Sequence, residues 1–117
     1  MFQDRLNELR SSVPEVQAVC LVAGDGIAID SAGGEDLDLE VLAAETVSMA
    51  RGISSEERAL GLGETLRFEV ETENSTLILG RVREGYYLLL VLEAGQAPGR
   101  ARYEMRRTST RVAADLS

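Results

Sequence analysis

Residues 36–58 read DLDLEVLAAETVSMARGISSEER, and this stretch carries two apolar stripes where a helix on the surface of a small protein ordinarily carries one. At helical spacing Leu39, Leu42, Ala43, Thr46, Met49, Ala50 and Ile53 fall on one side, the pattern of a helix lying on a core. The opposite side collects Leu37, Val41, Ala44, Ser48, Gly52 and Ser55, small or apolar groups where solvent-facing charge is expected. Glu40, Glu45, Arg51 and Glu56 are pushed largely to the flanks. The helix is therefore expected to be covered by its own sheet beneath and by another protein above. A helix central to a larger core is the competing reading, and length disfavours it, because a small compact chain rarely surrounds a helix completely.

Upstream, Gly33-Gly34 breaks the chain and Asp36 is the expected N-cap. Before that break, Phe2, Leu6, Leu9 and Val13 have helical spacing over Met1–Ser12, and Pro14 ends the helix. QAVCLVA then reads as a strand apolar on both faces, and Asp25-Gly26 turns it into a second strand, IAIDS. Downstream, Leu60-Gly61-Leu62-Gly63 leads into a strand of clean alternation, with Leu66, Phe68 and Val70 on one side and Arg67, Glu69 and Glu71 on the other. Glu73-Asn74 turns the chain into TLILGRV, and Glu84-Gly85 turns it again into YYLLLVL, which gives a meander. The uniformly apolar last strand belongs in the middle of the sheet, beside the equally apolar first one. From about Pro98, Ala101, Met105, Val112 and Leu116 describe a closing helix with its arginines outward. No linker, low-complexity tract or internal repeat interrupts this order, so residues 1–117 are expected to form one domain.

Composition, 44% apolar and 27% charged, is that of a globular chain able to bury a core. The net charge of −8 argues against general affinity for nucleic acid or anionic lipid. No apolar run approaches the roughly 20 residues that span a bilayer, and the start MFQDRLNELR is charged and helical in pattern, unlike a signal peptide. The expectation is a cytoplasmic protein without membrane insertion. Cys20 is the single cysteine, which precludes an internal disulfide, and its apolar surroundings suit a buried small hydrophobe.

Two absences exclude most catalytic chemistry. Without histidine there is no Ser-His or Cys-His pair and no imidazole metal site. All basic residues are arginine, so there is neither a Walker A lysine nor a Schiff-base lysine. Gly24-Asp25-Gly26, Gly33-Gly34 and Gly61-Leu62-Gly63 lack the spacing of a dinucleotide fingerprint and are explained by turns. Glu35, Asp36, Asp38 and Glu40 suit the first turn of a helix and lack the ligand order of a calcium loop. No catalytic residue, cofactor or metal site is expected. Arg100, Arg102, Arg106, Arg107 and Arg111 could line phosphates, but the acidic chain and its scarcity of aromatic stacking residues favour a solvated helix face that pairs with acids of the sheet edge.

The ordered succession LNELRSSVPEVQAVCLVAGDGIAIDS, LDLEVLAAETVSMA, LGLGETLRFEVETENSTLILGRVREGYYLLLVL and PGRARYEMRRTSTRVAADL resembles the roadblock family of dynein light chains and bacterial GTPase regulators. Its most specific pieces are the helix–Pro–strand opening, the DG hairpin with its following serine, the Leu-Ala-Ala of the long helix and the G-x-A-R start of the last helix. The resemblance implies an α+β fold with a five-stranded antiparallel sheet, the long helix on one face and the two terminal helices on the other, a profilin-like layout. It implies a homodimer in which the long helices pack together and the third strands join edge to edge. Leu37, Val41, Ala44, Ser48, Gly52, Arg67, Glu69 and Glu71 are the corresponding interface candidates. A twofold axis near Glu69 would set Arg67 opposite Glu71 of the partner.

The resemblance further implies a non-enzymatic platform for a small Ras-like GTPase, the bacterial members acting in polarity or motility. It implies regulation by reshaping the switch elements of the GTPase, which needs no histidine or lysine from this chain. Glu40, Ser48, Arg51 and Ser55 on the flanks of the long helix are the candidate GTPase contacts, with Arg51 or Arg58 conceivable as an arginine finger. The alternative is a structural or sensory dimerisation scaffold without effect on hydrolysis. The sequence ends soon after the last helix, so a family function that depends on an added C-terminal tail is not among the expectations.

Overall fold

The computed structural model describes residues 2–116, apart from the side chains of 55–58. In chain order the elements are α1 (Phe2–Ser12), β1 (Val16–Ala23), β2 (Ala28–Gly33), α2 (Leu39–Ala59), β3 (Arg67–Glu71), β4 (Ser75–Arg83), β5 (Tyr86–Glu93) and α3 (Gly99–Asp115). The strands form one antiparallel sheet in the order β2-β1-β5-β4-β3. The fold is therefore α+β, with α2 on one face of the sheet and α1 and α3 on the other.

Each central strand is apolar on both sides because both sheet faces are covered. Val19, Leu21, Leu88, Leu90 and Ile78 pack against Leu6, Leu9, Ala101, Met105 and Val112 beneath α1 and α3. Cys20, Val22, Leu79 and Leu89 meet Ala43, Val47 and Ala50 of α2 on the other side. Gly80 allows α3 its close approach, since a Cβ there would lie 3.0 Å from the Met105 sulfur. In the β1–β2 turn the Gly26 φ of 92° suits glycine alone, and a Cβ on Gly26 would stand 3.2 Å from the Cα of Ala44. The hairpin tip and the α2 backbone thus touch directly.

Two sequence expectations about α2 are corrected. The helix is capped by Asp38 and not by Asp36: the Val41 N–H donates to Asp38 Oδ1 at 3.2 Å, while Asp36 lies in a turn closed by Leu37 N–H on the Gly34 carbonyl. The buried side is Ala43, Thr46, Val47, Ala50 and Ser54, which leaves Met49 44% and Ile53 38% exposed. Small side chains set this phase, because Ala43 and Ala50 let the helix backbone settle onto the sheet where Met49 and Ile53 would hold it away. With both sides of the wheel nearly equal in apolarity, hydrophobicity alone does not choose between them.

The arginines of the closing helix lie at the surface, and three of them pair with acids. Arg102 donates through Nε and Nη2 to the two carboxylate oxygens of Glu69 in β3, Arg107 reaches the buried Glu104 at 3.3 Å, and Arg111 reaches Glu8 of α1 at 3.2 Å. The first of these is the pairing with a sheet-edge acid that the charge pattern suggests.

Candidate interaction surface

The outward side of α2 presents Val41, 55% exposed, with Ala44, Ser48, Met49, Gly52 and Ile53 around it and the half-buried Leu37 near its start. Ser55 and Arg58 lie outside the described side chains. One flank faces the β1–β2 hairpin. Glu40 and Ala44 line a small cavity there with Gly26, Ile27 and Ala28, and Arg51 Nη2 donates to the Gly24 carbonyl at 2.6 Å. Of the residues expected to meet a GTPase, Arg51 is thus engaged by the protein's own turn, while Glu40 and Ser48 are exposed.

Because that flank lies over β1 and β2, helical geometry turns the other flank, Leu42, Met49 and Ile53, toward β4 and β3. The sheet beyond it carries Leu77, Phe68 and Val70, all partly uncovered. This apolar strip runs from α2 to the free edge of the sheet. Met49 and Ile53, read from sequence as core, are its exposed members. Their signal in the sequence was size: two large side chains beside an otherwise small-residue helix.

The edge itself is β3. Arg81 N–H donates to the Leu66 carbonyl and Thr72 N–H to the Ser75 carbonyl, both at 2.8 Å. In an antiparallel ladder, residues alternate between facing the neighbour and facing away, so Arg67, Glu69 and Glu71 direct their N–H and C=O groups to the open side. Their side chains share the α3 face of the sheet. Arg67 and Glu71 are exposed, and Glu69 is half-buried under Arg102. The hydrogen bonds from Arg102, aided by the charges of Arg102 and Arg67, hold the Glu69 carboxyl below its usual 4.5.

Among the described residues no group of His, Cys, Asp and Glu is placed to hold a metal. Cys20 is fully buried, and burial followed by the nearby Asp30 charge pushes its thiol up to about 11, away from nucleophilic use. Among the same residues no helix is long and apolar enough to cross a membrane.

An antiparallel sheet with one long helix on one face, two terminal helices on the other, and an exposed apolar helix face beside an unpaired edge defines a recognisable α+β class. Residues 2–93 match the model of the Roadblock/LC7 domain, and the chain belongs to that family. No curated protein matches it in sequence. Among solved structures it is similar to MglB of Myxococcus xanthus, with 19% identity and a TM-score of 0.89 over 98% of this chain and 94% of that one. A Roadblock/LC7 domain from Streptomyces avermitilis gives 19% and 0.89 over 97% and 96%. A structure described as MglB with tetrameric arrangement gives 17% and 0.87 over 97% and 85%.

Proposed function

We propose that this protein is a non-enzymatic, cytoplasmic, homodimeric adaptor that binds a small Ras-like GTPase and modulates it by reshaping the switch elements of the GTPase. The observation that carries this reading is the continuity of the exposed α2 face with the open β3 edge on one side of the molecule. Each half is a liability in a monomer, one as exposed apolar surface and the other as an unpaired strand, and a single twofold contact covers both. Family membership supports the dimer, as does the tetrameric arrangement named for one similar MglB structure.

In that dimer Val41, Ser48 and Gly52 bring the two long helices together, with Leu37 at their ends and Arg67, Glu69 and Glu71 at the strand edge, while Ala44 lies on the flank toward the β1–β2 hairpin. Met49 and Ile53 join them as the apolar members nearest β3. The paired helices then offer one composite face, rimmed by Glu40, Ser48 and Arg51, to a single GTPase. A pull-down with GTP- and GDP-loaded small GTPases, followed by a hydrolysis assay, tests the reading. Nucleotide-dependent capture is the expected result, and no capture of either form counts against it.

The second reading is a dimerisation scaffold without effect on hydrolysis. One observation favours it: the guanidinium of Arg51 is held on Gly24, which removes it as an arginine finger in this conformation. GTPase capture with an unchanged hydrolysis rate is its signature.

A further inference from the structure

We infer that a second copy of this chain completes an ion cluster beside β3, with the carboxylate of the partner's Glu71 seated between Arg67 and Arg106. The inference rests on the homodimer proposed above and adds the residues that fix its strand register.

Four arginines on the α1/α3 side of the molecule have an acid: Arg5 has Asp115, Arg102 has Glu69, Arg107 has Glu104 and Arg111 has Glu8. Arg10, Arg67, Arg100 and Arg106 have no ion pair among the described residues, and of these Arg67 and Arg106 are exposed and share one groove. They line this groove, of about 630 Å³, together with Glu64, Gly80, Arg81, Met105 and Thr110. Their position follows from the ladder beside it. Arg106 lies one helical turn beyond Arg102, and Arg67 lies two residues before Glu69 on the same face of β3. The next step after the Arg102–Glu69 pair is therefore cation facing cation, an arrangement that favours an anion between them.

A twofold strand pairing at this edge uses the outward backbone groups of Arg67, Glu69 and Glu71, which restricts the register. An axis at Arg67 or at Glu71 sets like charges opposite each other. Pairing Arg67 with the partner's Glu69 takes that carboxylate from the Arg102 that already holds it. An axis at Glu69 brings two Glu69 side chains together, but each is neutralised by its own Arg102. In that register the partner's Glu71 stands directly opposite Arg67, on the face toward α3 and the unpaired Arg106. The groove is incomplete in one protomer and filled in two.

Two variants test the cluster by exchange of charge: Arg67→Glu/Arg106→Glu, and Glu71→Arg. The three positions are exposed, so circular dichroism of both should match the wild type. At low salt each variant alone places like charges in both clusters, and its dimer dissociation constant should rise at least tenfold by analytical ultracentrifugation. Mixed in equal amounts the two should form a heterodimer, because one cluster then regains its original charges and the other is restored with reversed polarity. Arg106→Gln alone should raise the constant about threefold and lessen its dependence on salt. A wild-type dimer with indifferent variants, or variants that stay apart when mixed, would overturn the cluster and leave the homodimer intact. A monomeric wild type would instead overturn the homodimer on which it rests.

Discussion

Cys20 and Glu69 show how burial and pairing set chemistry at single positions. The Cys20 thiol is closed off by the α2 side of the core and raised to about 11, so native protein at pH 8 should resist iodoacetamide for hours and react fully once unfolded in urea. Mass spectrometry of the alkylated chain reads this directly, and rapid labelling of the native state would place Cys20 outside the core. Glu69 behaves in the opposite sense. Its carboxyl is held below 4.5 by Arg102, so the folded state binds this proton less readily than the unfolded chain does. The stability contributed is present above 4.5 and is lost as pH falls below it through the lowered value. Urea midpoints measured from pH 6 to pH 3 should therefore fall less steeply in Glu69→Gln than in the wild type, and parallel curves would remove the ion pair from the stability balance.

Among the elements, α2 is the one whose two sides have different tasks. Gly52 lies in its interior on the outward side, and a Cβ there would meet nothing within 4 Å in a single protomer. Glycine in that position costs the helix about 0.5–1 kcal/mol relative to alanine. Gly52→Ala should thus stabilise the protomer by that amount, measured by urea denaturation at protein concentrations too low for association. It should weaken self-association several-fold, since the added methyl obstructs close approach of two helices. A variant equally stable and equally associated would exclude Gly52 from the contact. The strands are less divided in their tasks: β1 and β5 are buried on both faces, so their apolar runs have one purpose and were readable as central strands.

For the molecule as a whole, the expected chemistry is that of a surface. The chain carries no lysine or histidine, and its described residues bring together no metal-binding acids. Calorimetry with GTP and magnesium should therefore show no heat of binding to the isolated protein. Micromolar affinity for the nucleotide would replace the adaptor reading with an enzymatic one.

The element order, the Asp25-Gly26 hairpin, the meander and the placing of β5 beside β1 were all legible in the chain, because each depends on local information. Turn residues set φ within two or three positions, and apolar periodicity reports which faces are covered. The two-sided character of α2 was legible for the same reason. Its rotation was not. Ala43, Thr46, Val47 and Ala50 face the sheet because their small or β-branched side chains fit against Cys20, Val22 and Leu89, a match between segments distant in sequence. Likewise Arg102 and Glu69 are 33 residues apart, and no spacing rule joins them; only α3 packed on β4, beside β3, brings guanidinium and carboxylate into contact. The same packing leaves Arg67 facing Arg106 and turns Met49 and Ile53 toward the open edge. Local pattern thus settled which elements form and which faces are apolar, while the close fit of sheet and helices decided which side chains meet, because packing energy depends on shape across the whole core and has no counterpart in sequence spacing.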